Sequence, residues 1–177
     1  AEEVRRLEDL RDLPAQTTDG RRITLAANIE TSEDVKMALF QGAEGIGLFR
    51  TEFLFLNRRQ APNEEEQYHS YRQAVRASFP FPVIIRTLDL GGDKMSNLGM
   101  QGLSPESNPF LGLRGIRLCL KFPEVFKVQL RAILRASTEG KVKIMYPMVS
   151  GLDELRAANA ILQEVKSALR ALQTPFD

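Results

Sequence analysis

Arg50 and Arg86 are the residues whose type and setting point most directly to chemistry. Each closes an apolar run, Gly45-Ile-Gly-Leu-Phe-Arg-Thr-Glu-Phe53 in one case and Val83-Ile-Ile-Arg-Thr-Leu-Asp89 in the other, and each is followed at once by threonine and shortly afterwards by a carboxylate. A guanidinium is a permanent cation with a planar fork of donors. It can hold a phosphate or carboxylate through two bonds and can neutralise charge that develops during phosphoryl transfer. Two of them at the ends of neighbouring buried strands predict a site for a compact, highly charged anion, such as a small molecule carrying both a phosphate and a carboxylate. Arg114, in Asn108-Pro-Phe-Leu-Gly-Leu-Arg114, is a third candidate. The competing reading is structural: Arg50 and Arg86 pair with Glu52, Asp89 or Asp93, as buried arginines do. Those carboxylates are also oxygen donors of the kind Mg²⁺ takes, with ion pairing as their other use. Lys94 follows Gly91-Gly92-Asp93 and could meet a phosphate, but the spacing is not that of a P-loop.

Other reactive side chains read as bystanders. His69 falls in Glu66-Gln-Tyr-His-Ser-Tyr71 on a polar helix pattern and is expected to be solvated. Cys119 lies in Ile116-Arg-Leu-Cys-Leu120 and reads as a packing thiol. Met145 and Met148 are expected to line a strand end. With one cysteine and one histidine, the chain lacks the usual nitrogen and sulfur metal sites and any intrachain disulfide. The 24 Lys plus Arg nearly balance 23 Asp plus Glu, so attraction of the whole molecule to nucleic acid or an anionic membrane is not indicated, and anion binding must be local. No apolar stretch approaches the roughly 20 residues of a membrane span, and the start carries no signal-peptide core. A cytoplasmic location is therefore expected.

Strand and helix patterns alternate around these residues. Ala1 to Leu13 reads as a linker helix stopped by Pro14, with residues 1–20 as linker and connector. Ile23 to Ile29 predicts a first strand, and Thr31 or Ser32 can cap a helix reaching Ala43. Gly45 to Phe53 is the second strand, Asn63 to Ser78 a helix capped by Asn63, and Val83 to Leu88 the third strand. An irregular stretch from Asp89 to about Asn108 precedes a helical pattern divided by Pro123. Val142 to Met148 and Leu152 to Leu172 supply the last strand and helix. Four βα units over residues 21–177 predict an α/β fold forming half of a TIM (βα)₈ barrel, with Asn28, Arg50, Arg86 and Tyr146 at the carboxyl ends of its strands. A small open α/β sheet is the competing fold. A half-barrel would leave open edges, and a homodimer closing two copies about one axis would bury them.

The ordered blocks Leu13-Pro14, Ala27-Asn28-Ile29, Gly45 to Phe55, Glu64-Glu-Glu-Gln67, Arg86 to Lys94, Glu106 with Asn108-Pro-Phe-Leu-Gly112, Gln129 to Ser137 and Met145-Tyr-Pro-Met148 resemble the Enzyme I family of the bacterial phosphotransferase system, the phosphoenolpyruvate-protein phosphotransferases. Phe53 after Arg-Thr-Glu is similar to that family rather than to the related pyruvate phosphate dikinases. The resemblance covers nearly the whole chain. It implies a phosphoenolpyruvate-binding (βα)₈ barrel in which Arg50 and Arg86 hold the phosphate and stabilise its transfer, with Arg114 as a further substrate-binding arginine. It also implies Mg²⁺, phosphoryl transfer to a histidine on a separate swivelling domain, and then transfer to the carrier protein HPr for sugar uptake or regulation. The family's metal ligands, its enolate-protonating cysteine and its phosphohistidine domain match no residues here, so the isolated chain is expected to be inactive. A non-catalytic, anion-binding regulatory module is the alternative. Glu30 departs from the family, which usually has glycine after Asn-Ile.

Overall fold

The computed structural model describes residues 10–11, 13–56, 58–91 and 112–177. Four strands, β1 (Ala27–Ile29), β2 (Ile46–Arg50), β3 (Val83–Arg86) and β4 (Val142–Met145), pair in parallel in the order in which the chain makes them. Among the described residues the longer helices are α1 (Asp34–Phe40), α2 (Glu64–Ser78), α3 (Gly115–Lys121), α4 (Pro123–Ala136) and α5 (Leu152–Ala171); α1 and α2 follow β1 and β2, α3 and α4 lie between β3 and β4, and α5 follows β4. A doubly wound sheet reverses its strand order at a switch point, whereas a barrel wall adds each strand beside the last. The sequential order here is that of half a (βα)₈ barrel. Of the linker helix expected before Pro14, Leu10 and Arg11 are helical, and residues 1–9 and 12 lie outside the described residues.

Helices cover one face of the sheet. Ile46, Phe49, Val83 and Ile85 meet Tyr71, Ala74 and Val75 of α2 and Ala132, Ile133 and Ala136 of α4. A second cluster joins Phe55, Leu88, Ile116, Phe126 and Leu130 to Ala158, Val165 and Leu169 of α5. Burying each of the larger side chains contributes about 1.5–3 kcal/mol, so this face holds the sheet together. α2 starts where the sequence predicts: the Asn63 side chain accepts from the Glu66 N–H and the Glu66 carboxylate accepts from the Asn63 N–H, both at 2.9 Å. Pro123 separates α3 from α4 by taking the first turn of α4, where its missing N–H has no intrahelical acceptor to lose.

Several boundaries differ from the sequence reading. β2 ends at Arg50 rather than Phe53, because Thr51–Leu54 turns into a 3₁₀ helix, and β3 ends at Arg86 rather than Leu88. β1 is limited to Ala27–Ile29 because the chain before it makes other bonds: Ile23 N–H reaches the Ala15 carbonyl at 2.9 Å, and Leu25 N–H reaches the Glu44 carboxylate at 3.2 Å. α1 begins at Asp34 without a Thr31 or Ser32 cap, since the Asp34 carboxylate itself gathers the Glu30 and Thr31 N–H groups at 3.1 and 2.9 Å. β4 stops at Met145, ahead of Pro147 and the positive φ of Met148.

The register of β2 contains the feature on which the site depends. Ile46 pairs with Val83 and Phe49 with Ile85, so β2 advances three residues while β3 advances two. On its other side β1 advances one residue, Ala27 to Asn28, while β2 advances two, Ile46 to Leu48. Both shifts describe one extra residue in β2, a bulge at Gly47-Leu48. Strict alternation from Ile46 would turn Arg50 toward the helices, because residues two apart share a face. The bulge instead buries both Ile46 and Phe49 and turns Arg50 to the face away from the helices. Glycine fits here closely: a Cβ on Gly47 would lie 3.0 Å from the Ala26 Cβ. Gly45, which starts the strand, has a φ of 132°, and a Cβ there would lie 2.7 Å from the Pro82 carbonyl oxygen that receives the Ile46 N–H. Gly45→Ala is therefore expected to lower stability by about 2 kcal/mol or more, seen as a lower urea midpoint at unchanged slope.

Candidate anion site

Beyond the bulge, Arg50 is the register partner of Arg86, and Arg86 that of Met145. Both arginines follow core residues, Phe49 and Ile85, and so stand on the sheet face opposite α2 and α4, which carries no helix among the described residues, at the carboxyl ends of adjacent strands. The two strand ends are tied by the threonine after Arg50. Thr51 leaves the strand into a short 3₁₀ turn (Thr51–Leu54), and its hydroxyl donates to the Arg86 carbonyl at 2.8 Å.

Gln129 of α4 supports that tie from behind. Its Nε2 donates to the Thr51 Oγ1 at 3.0 Å and to the Tyr71 hydroxyl at 3.1 Å, and its Oε1 accepts from the Leu88 N–H at 2.9 Å. Tyr71 in turn donates to Gln67 at 3.1 Å. Burial holds the Tyr71 phenol far above its ordinary pKa, so it remains a neutral donor. Tyr71, Thr51, Gln67 and Gln129 are all buried, and their mutual bonds meet the requirement that such groups be paired.

Arg86 is held by carboxylates. Glu52 accepts from the Asp89 N–H at 3.0 Å with one oxygen and lies 3.2 Å from the Arg86 Nη2 with the other. Asp89 stands 3.5 Å from the Arg86 Nη1 and accepts from the Arg114 Nε at 3.1 Å. The Arg86 Nε is buried with no hydrogen-bond partner among the described residues. Arg50 has a different setting: its Nη1 meets Glu30 at 3.1 Å, and its side chain is 39% exposed against 22% for Arg86.

The structure thus brings Arg50, Arg86 and Arg114 to one end of the sheet. The pairing expected with Glu52 and Asp89 holds for Arg86, while Asp93 lies outside the described residues along with Lys94. Asn28 is exposed on the same sheet face. Tyr146 turns to the helix side, with its ring edge on Phe126 at 5.9 Å, and burial pushes its phenol up to about 12. Cys119 is buried behind Leu88, with its thiol pushed up to about 12 by burial, as suits a packing residue. His69 is exposed beside Glu65 on α2. Glu52 and Asp89 are both engaged by arginines, and no cluster of three histidine, cysteine or acidic residues suited to a metal occurs among the described residues. Sequence reading missed two contributors. Gln129 could have been noticed as a polar residue on the apolar face of α4, whereas the Glu30–Arg50 pairing needed the register.

A parallel part-barrel with arginines converging at its carboxyl edge belongs to a recognisable class. The family described as PEP-utilising enzyme, PEP-binding domain, matches residues 4–177, and the chain is a member of it. Within that class its relatives are phosphoenolpyruvate-protein phosphotransferases. The chain is 54% identical over 153 residues to that of Bacillus sp. (strain S) and likewise to that of Geobacillus stearothermophilus, covering 86% of this chain and 26% of each of theirs. It is 51% identical over 164 residues to that of Staphylococcus carnosus (strain TM300), covering 93% of this chain and 28% of the relative. The chain therefore spans about a quarter of the length of these relatives. None of the helices among the described residues is long and apolar enough to cross a membrane.

The two arginines should differ when removed. Arg86→Ala leaves Glu52 and Asp89, only 8% and 10% exposed, facing one another without that cation, and should cost about 3 kcal/mol. Arg50→Ala breaks an exposed pair and should cost less than about 1 kcal/mol. Denaturant unfolding of both variants checks this difference.

Proposed function

We propose that residues 21–177 form the first half of a phosphoenolpyruvate-binding barrel within a phosphoenolpyruvate-protein phosphotransferase, with residues 1–20 as the segment leading into it. The observation carrying this reading is the register pairing of Arg50 with Arg86 on the sheet face opposite α2 and α4, in a chain whose relatives bear that name. Arg50 and Arg86 grip the phosphate, and Arg114, held on Asp89, binds the substrate from the β3 side. As the bond from phosphorus to the enol oxygen breaks and a bond to a histidine nitrogen of the enzyme forms, the fixed guanidinium charges oppose the charge building on the phosphoryl and enolate oxygens. Once both guanidinium groups are seated on the bound phosphate, little further reorganisation accompanies the transfer step.

The acceptor histidine, onward transfer to HPr, a role in sugar uptake and a cytoplasmic location extend this reading to the whole protein. Mg²⁺ would be held by residues other than those described, and the roles assigned here to the arginines do not pass through it. A non-catalytic regulatory module finds no support in the relatives' names. Calorimetric titration with phosphoenolpyruvate, on this chain and on a polypeptide extended past residue 177, tests the reading. Arg50→Ala should weaken binding at least about tenfold, the worth of a charged hydrogen bond. Equal binding by Arg50→Ala, or none by either polypeptide, would overturn it.

The sheet face opposite α2 and α4 exposes Asn28, Lys143 and Met145, and β1 and β4 are the sheet's outer strands. A homodimer of the isolated chain would cover both. Light scattering at high micromolar concentration should give twice the chain mass, and a monomer throughout would contradict this.

A further inference from the structure

We propose that Glu30 is a displaceable counter-ion for Arg50, a built-in carboxylate that substrate must evict before Arg50 can close on its phosphate. The inference rests on the reading of Arg50 as a phosphate ligand. Glu30 is the residue immediately after β1, and its backbone N–H is fixed by the Asp34 carboxylate at 3.1 Å, so the turn into α1 sets where its side chain starts. From there the Glu30 Oε1 reaches the Arg50 Nη1 at 3.1 Å, across 20 residues of sequence.

The contact is poorly suited to a purely structural role. It uses one nitrogen of the guanidinium and one oxygen of the carboxylate, with 39% of the arginine side chain and 43% of the glutamate side chain exposed. Exposed single-contact pairs contribute little, because both groups are well solvated when apart. Arg86, by contrast, is held between Glu52 and Asp89, which are nearly buried, so its carboxylates cannot readily leave. An arriving phosphate therefore finds one clamped arginine and one whose partner can swing into solvent.

Charge makes the same point. Arg50, Arg86 and Arg114 are matched by Glu30, Glu52 and Asp89, so the described cluster is neutral until a carboxylate withdraws. Withdrawal of Glu30 uncovers one positive charge and frees the Arg50 fork for a bidentate grip. While Glu30 remains, it repels other anions and the phosphate alike. Its cost to affinity is small for a ligand that also engages Arg86, and greater in proportion for a simple anion.

Titration of wild type, Glu30→Gln and Arg50→Ala with phosphoenolpyruvate, and separately with inorganic phosphate, tests this in the longer polypeptide. Glu30→Gln should tighten phosphoenolpyruvate binding about three- to fivefold, the range expected of an exposed ion pair, and phosphate binding by at least as much. In the Arg50→Ala background the same substitution should give a clearly smaller gain. The side-chain carboxyl ¹³C signal of Glu30 should also move on adding phosphoenolpyruvate to wild type, and should already sit near its ligand-bound position in Arg50→Ala before any ligand is added. Unchanged or weaker binding by Glu30→Gln would overturn the proposal and assign Glu30 to holding Arg50 in place, leaving phosphoenolpyruvate binding itself intact. Binding that is indifferent to Arg50→Ala would overturn the phosphate role of Arg50 and this inference with it.

Discussion

One extra residue in β2 decides which way Arg50 points. Because side chains alternate along a strand, the residues on the core side of Ile46 would otherwise include Arg50, and its cation would be driven among Tyr71, Ala132 and Ile133. The bulge lets Ile46 and Phe49 both serve the core while handing Arg50 to the other face, level with Arg86. Two conditions permit it: no side chain at Gly47, where Ala26 is close, and the unusual backbone angle at Gly45. A packing constraint on the helix side is thereby converted into a pair of cations on the open side.

The second support comes from behind the sheet. Gln129 reaches from α4 to the Thr51 hydroxyl, the Tyr71 hydroxyl and the Leu88 N–H, and Thr51 in turn holds the carbonyl of Arg86. These buried groups are paired with one another, so moving one strand end relative to the other would break bonds that water cannot replace. The two arginines are consequently fixed by different means. The backbone of both is locked by this network, while their guanidinium groups differ: Arg86 sits between nearly buried carboxylates, and Arg50 shares an exposed contact with Glu30.

Much of this arrangement was legible in the sequence. Alternating apolar runs and amphipathic segments located all four strands, Asn63 and Pro123 marked the starts of α2 and α4, and the two Arg-Thr runs placed Arg50 and Arg86 at neighbouring strand ends. What escaped was set by contacts between distant segments. β1 proved shorter because Glu44 takes the Leu25 N–H, and a strand of alternating residues gave no sign that β2 contains an extra one. Tyr146 was expected beside the arginines and faces Phe126 instead, since Met145 takes the position level with Arg86. The pairing of Glu30 with Arg50 depends on the same register and is invisible to local pattern.

The central claim is that Arg50 and Arg86 act on a single anion. Side-chain ¹⁵N–¹H spectra of the two arginine Nε groups, followed during titration with phosphoenolpyruvate, address it directly. Both signals should move together along curves giving one dissociation constant, with the Arg86 Nε, which has no hydrogen-bond partner among the described residues, shifting strongly. Movement of one signal alone, or two signals reporting different constants, would contradict the account.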